Sequence, residues 1–142
     1  MKKTVGILVV GGFMLTALIA TAGAQGATSV NQGVYTQEQA TKGKALYTDT
    51  CAACHGDNLE GSGPMPPLAG ADFLRTWEGK TVGDLYEKTH TTMPATAPGT
   101  LTPEQSADIT SYMLSMSKYP AGTTALGTKM EVLLAIKIEK PK

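Results

Sequence analysis

The chain has 142 residues, room for one domain and little more. Its 12 basic and 12 acidic residues balance, and loss of Lys2 and Lys3 with a leader would leave the remainder at −2. That balance offers no basic face of the kind nucleic-acid binding requires, so no nucleic-acid partner is expected.

Lys2 and Lys3 precede an uncharged run from Val5 to Ile19, and the small residues Ala22-Gly23-Ala24 follow. This is the form of an export signal over residues 1–24, cleaved after Ala24, which places the mature chain outside the cytoplasm, in a periplasm or its equivalent. The run is shorter than the roughly 20 apolar residues of a spanning helix. The competing reading is an uncleaved anchor, the one case in which the protein would sit on a membrane. Residues 25–34 are polar and Gly-rich without a period, which predicts a flexible leader.

A domain is expected over 35–118. Its first helix is predicted from about Gln37 to Thr48, with Thr36 as N-cap and Gln39 closing a capping box. Gly43 costs that helix stability and implies a close packing contact. Residues 56–72 hold four Gly and three Pro and predict a long loop. A short helix is expected around Phe73–Trp77. Another starts after Thr81, with Asp84 at its third position, turns Val82, Leu85 and Tyr86 inward, and ends before Met93-Pro94. The last helix has the fullest start signal: Thr102 as cap, Pro103 at the first position, Glu104 at the positive end and Gln105 completing a box. Ile109, Tyr112, Met113 and Met116 recur along it at helical spacing. Residues 119–142 form an extension packing on the domain, with Met130–Ile138 read as a short strand or extended segment.

Cys51-Ala52-Ala53-Cys54-His55 is a C-x-x-C-H haem-attachment signature. On a helical turn the two-residue spacer sets the thiols for the two vinyl groups of one haem. The adjacent His55 then offers a nitrogen to the iron as proximal ligand. Three plainer readings compete. A redox C-x-x-C pair belongs in a βαβ setting, whereas helix and loop flank this one. A zinc site needs four ligands and would have to take every Cys and His of the chain, Cys51, Cys54, His55 and the distant His90. A structural disulfide is allowed outside the cytoplasm, but a two-residue loop strains it. The cofactor expected is one covalent haem c, which would also add an apolar plate to the core of a small domain.

The second iron ligand falls to elimination. Met14 lies in the signal, Met113 and Met116 fit helix packing, and Met130 lies in the tail. Met65 is ten residues past His55, on a loop expected to cover the proximal side. Met93, at the end of a helix and 38 residues beyond His55, is the favoured ligand. His90 is the runner-up and would give a bis-His haem of lower potential.

Taken together, C-A-A-C-H-G at 51–56, P-P-L at 66–68, T-M-P at 92–94 and L-T-P-E-Q at 101–105 resemble a class I c-type cytochrome, over most of residues 35–117. The resemblance implies an all-α cytochrome c fold: three to five helices and long loops around one haem, with the first and last helices crossing at Gly43 near Tyr112. It implies that Pro67 offers its carbonyl to the second nitrogen of His55, that Leu68, Trp77 and Leu85 wall the haem, and that Arg75 and Trp77 meet a propionate; for Arg75 a solvated surface charge is the plain alternative. The series G-S-G-P-M-P-P-L-A-G, W-E-G-K-T and T-T-M-P also resembles cytochrome domains associated with quinoprotein alcohol dehydrogenases.

The function expected is single-electron transfer rather than enzymatic catalysis, since His55 and Met93 together leave no open site on the iron. Donors would be a dehydrogenase or respiratory complex, acceptors an oxidase or another cytochrome. The rivals are a ligand-binding or sensor cytochrome in which Met93 is displaced, and a haem-bearing subunit of a dehydrogenase complex.

Overall fold

The computed structural model describes residues 26–142; the expected signal and its cleavage point lie outside them. The described residues form six α-helices and no strand: α1 Gln37–Thr50, α2 Ala52–His55, α3 Gly70–Trp77, α4 Val82–Thr92, α5 Pro103–Met116 and α6 Met130–Leu133, preceded by a 3₁₀ turn at Val30–Gln32. Two of the six are single turns, which is why the number exceeds the three to five expected. None of the described helices is long and apolar enough to cross a membrane.

The helix starts follow local chemistry. Thr102 and Gln105 form the expected reciprocal box with Pro103 behind the cap, and Thr81 and Asp84 form a second one. At α1 only half the box closes. Thr36 Oγ1 accepts from Gln39 N, but the Gln39 amide turns away, donating to Leu126 O at 3.0 Å and accepting from Leu126 N at 2.7 Å. A long-range pair of hydrogen bonds has displaced a local one.

α1 and α5 cross at Gly43, which lies against the Asp108 carbonyl and the Tyr112 side chain. Tyr47 and Tyr112 pack at 5.4 Å between ring centroids beside that crossing. α4 packs on α5 from one side and on α6 from the other.

Two expectations are corrected. Residues 28–34 do not hang free: Val30 is fully buried, and Val30 N donates to Lys137 O at 3.0 Å. A polar, Gly-rich segment is held here by backbone bonds, which composition does not report. Nor is the segment 130–138 a strand. It is one turn of helix, α6, followed by an extended stretch in which Lys137 bridges both Ser29 and Thr81.

Candidate functional site

The cysteines sit on a hinge between two helices. α1 ends at Thr50, and Cys51, at φ −122° and ψ −34°, caps it and opens α2. His55 N donates to Cys51 O at 2.9 Å, so residues 51–55 close a single helical turn. The turn stops at Gly56, whose φ of 82° favours glycine. Tyr47 Oη donates to Gly56 O at 2.6 Å, tying the end of the turn back to α1. Cys51 is half-buried, Cys54 is exposed and His55 is 7% exposed.

The geometry assigns the two ring nitrogens of His55 different roles. Nδ1 lies 2.9 Å from Pro66 O, an oxygen that can only accept. Nδ1 therefore carries the proton, and Nε2 keeps its lone pair for a metal. Sequence reading expected the Pro67 carbonyl here; the structure assigns Pro66. The register is set upstream. Ser62 and Met65 pair through both backbone bonds, at 3.1 and 2.9 Å, and make a tight turn. Gly61 N donates to His55 O at 2.8 Å and Leu68 N to Leu59 O at 2.9 Å, so Pro66 is the residue that faces the ring. Pro67 is half-buried behind it. Nothing in a Pro-Pro pair alone tells which carbonyl turns inward.

The remaining candidates divide. Leu68, Trp77 and Met93 are each half-buried, and Leu85 lies in the core at 2% exposure. Met93 is the extended residue that ends α4, with its N–H on Thr89 O. Trp77 packs against Phe73 and carries the Lys80 ammonium 4.7 Å from its ring centroid. The Arg75 guanidinium is paired with Asp72, and its side chain is 73% exposed. His90 is engaged elsewhere: Nδ1 lies 3.1 Å from Ser106 Oγ, and the ring stacks on Tyr86. Met65, the other methionine considered, is 38% exposed and adjoins the residue bound to Nδ1. An open groove of about 550 Å³ runs between Trp77 and the outer face of α4, but none of Cys51, Cys54 and His55 lines it.

The donor set fits a haem and fits its rivals poorly. Burial pushes the Cys51 thiol above its usual range, with Cys54 adding to the effect and a Thr50 hydrogen bond opposing it. A reactive or zinc-binding cysteine needs the reverse shift. No cluster of three or more His, Cys, Asp or Glu side chains suited to a metal exists among the described residues. Two thiols and one imidazole on a single turn suit two thioethers and one axial nitrogen.

Residues 38–113 match the family model described as cytochrome C oxidase, cbb3-type, subunit III. The chain belongs to this cytochrome c family. It is 40% identical over 76 residues to cytochrome c-551 of Bacillus subtilis, a match covering 51% of this chain and 67% of the relative. It is 31% identical over 91 residues to the cbb3-type cytochrome c oxidase subunit CcoP of Rubrivivax gelatinosus, covering 58% of this chain and only 28% of CcoP. Among solved structures, the sulfane dehydrogenase SoxCD of Paracoccus pantotrophus aligns with a TM-score of 0.52 at 28% identity, over 90% of this chain and 68% of that one. The all-α cytochrome c fold, covalent haem c at Cys51 and Cys54, and haem-based electron transfer follow from membership.

Proposed function

We propose that this cytochrome is an exported single-electron carrier with His55 and Met93 as the two iron ligands, and that it is not itself an enzyme. Haem c, once bound, supplies a one-electron couple. The chain's residues do the rest. Cys51 and Cys54 hold the group by thioethers from one helical turn. Pro66 O fixes the His55 tautomer and ring plane, so that Nε2 is presented to the iron. Met93 would hold the group as second ligand through its thioether, which would raise the potential relative to a second histidine and leave no site for substrate. Leu68 and Trp77 exclude water, and Trp77 with Arg75 would receive a propionate; for Arg75 that contact must compete with Asp72.

The observation that carries this reading is the Nδ1–Pro66 hydrogen bond, which leaves His55 Nε2 as the remaining donor one residue after Cys54. The signal-like run at residues 5–19 supports export. The test is optical and potentiometric. The purified protein should titrate reversibly as a one-electron couple, show the weak near-red band of a Met–iron bond when oxidised, and keep its pigment through acid acetone. Loss of pigment to acid acetone would overturn it.

A second reading, a haem-bearing subunit of a larger complex, is favoured by the likeness to CcoP and SoxCD. In that case the donor or acceptor is a dehydrogenase or oxidase subunit, the quinoprotein alcohol dehydrogenases suggested by the sequence among them. Stoichiometric co-purification with such a subunit from the native host separates it from a free carrier.

A further inference from the structure

The residues after α5 run back over the body and grip the start of α4. Val82 N donates to Ile136 O, Ile138 N to Lys80 O and Gly79 N to Ile138 O, each at 2.9 Å. On the opposite edge Lys137 N donates to Thr28 O at 2.8 Å. Residue 137 is thus stitched between the N-terminal segment and the α3–α4 connection. Leu133, Ile136 and Ile138 beside it are buried. The closest approach is at Gly83: a Cβ there would stand 2.8 Å from the Leu134 side chain and 2.9 Å from its backbone nitrogen. Towards the other end of α4 the packing opens into a cavity of about 360 Å³ lined by Tyr86, His90 and Met130 among others.

α4 is therefore held at its first turn by the tail and further along by α5, with Met93 at its far end. Its 11 residues span about 16 Å, so a tilt of a few degrees at Gly83 moves Met93 by about 1 Å. A thioether has no charge to hold it on a metal, and its bond tolerates little displacement. We propose that residues 133–138 act as a clamp that fixes the tilt of α4, with Gly83 the contact through which they position Met93. The inference rests on Met93 being the axial ligand.

The experiment uses full-length holoprotein. Gly83→Ala drives a methyl into Leu134. Leu134→Ala in that background removes the side-chain part of the obstruction and leaves the contact with the Leu134 backbone nitrogen; Leu134 is 45% exposed, so its truncation leaves little void. The readouts are imidazole affinity of the oxidised protein, the near-red Met–iron band and, separately, the melting temperature. Imidazole binds only when Met93 is off the iron, so its apparent affinity reports that population. Gly83→Ala should raise it about tenfold and weaken the band, and the second substitution should restore both in part, since the Leu134 backbone nitrogen stays in place. Should Gly83→Ala fail to mature, Ile136→Val thins the buried side of the same clamp, beside the Val82 N–Ile136 O bond, and should shift both readouts the same way by a smaller factor. A lowered melting temperature with imidazole affinity and band unchanged would overturn the clamp. Met93→Ala separates the two claims. If it leaves the spectrum intact, the ligand assignment falls and the clamp with it; if it changes the spectrum while Gly83→Ala does not, the clamp alone falls.

Discussion

Gly43 on α1 lies directly on the Asp108 carbonyl of α5, so that a Cβ at Gly43 would overlap that oxygen and reach Tyr112 Cβ at 3.0 Å. Two effects oppose each other when Gly43 becomes alanine. Helix propensity gains about 1 kcal/mol. Overpacking costs about 1–3 kcal/mol and occasionally more, and the obstacle here is backbone, which cannot rotate aside. The helix axes must part, and the Tyr47–Tyr112 contact beside them loosens. Gly43→Ala should therefore destabilise the holoprotein by about 2 kcal/mol in guanidinium unfolding, whereas Ala45→Gly on the exposed face of the same helix should cost about 1 kcal/mol through propensity alone.

Gln39 makes the second prediction. Its amide satisfies both the N–H and the C=O of Leu126 from a position only 8% exposed. Alanine at 39 leaves two buried backbone groups without partners, at about 1–3 kcal/mol for a group that stays dry. The loss should appear as faster amide exchange at Leu126 and its neighbours while exchange within α5 is unchanged. Uniform acceleration across both would mean that Gln39 is a general core residue and not a local pin for the tail.

These two residues also show where sequence reading works here and where it stops. The caps at Thr81 and Thr102 were legible because each box closes within four residues. The C-x-x-C-H turn was legible because its chemistry is contiguous. Gly43 was legible as a close contact because nothing else excuses a glycine in mid-helix. Gln39 fitted a local box equally well, and only the folded chain brings Leu126 to it. The choice between the Pro66 and Pro67 carbonyls depended on a turn at Ser62–Met65 that either register allows locally. Residues 28–34 and 136–140 carry no periodic pattern, because they are held by one another's backbone and not by an amphipathic face.

A pH effect follows from the box that starts α4. The Thr81 backbone N–H, then its hydroxyl, donate to Asp84 and hold its carboxyl below the usual carboxylate range, with burial opposing and Lys137 and Lys80 adding smaller support. A folded value below the unfolded one means that this contribution is complete above the unfolded value near 3.8 and is lost as pH falls through the folded one. Asp84→Asn keeps an acceptor but loses the charge at the positive end of the helix, at a cost of about 0.5 kcal/mol. Wild type should melt above Asp84→Asn at pH 7, and the gap should close as pH drops below about 4. A gap that persists undiminished at pH 2.5 would assign the effect to shape and not to charge.

The choice between His90 and Met93 as second ligand can be decided by paired substitutions. The Ser106 hydroxyl donates to Thr102 O at 3.0 Å, so its oxygen is free to accept from His90 Nδ1 at 3.1 Å. That bond and the stacking on Tyr86 turn the ring toward α5, away from a role on the iron. His90→Ala should leave the near-red band and the midpoint potential unchanged and cost about 1 kcal/mol for the lost hydrogen bond. Met93→Ala should abolish the band, lower the potential and let carbon monoxide bind the reduced protein at neutral pH, because a position once filled by a thioether is left to weaker ligands. The inverse pattern, with the spectrum altered by His90→Ala and not by Met93→Ala, would establish bis-histidine ligation and require α4 to turn its last two turns by a different face than the one described.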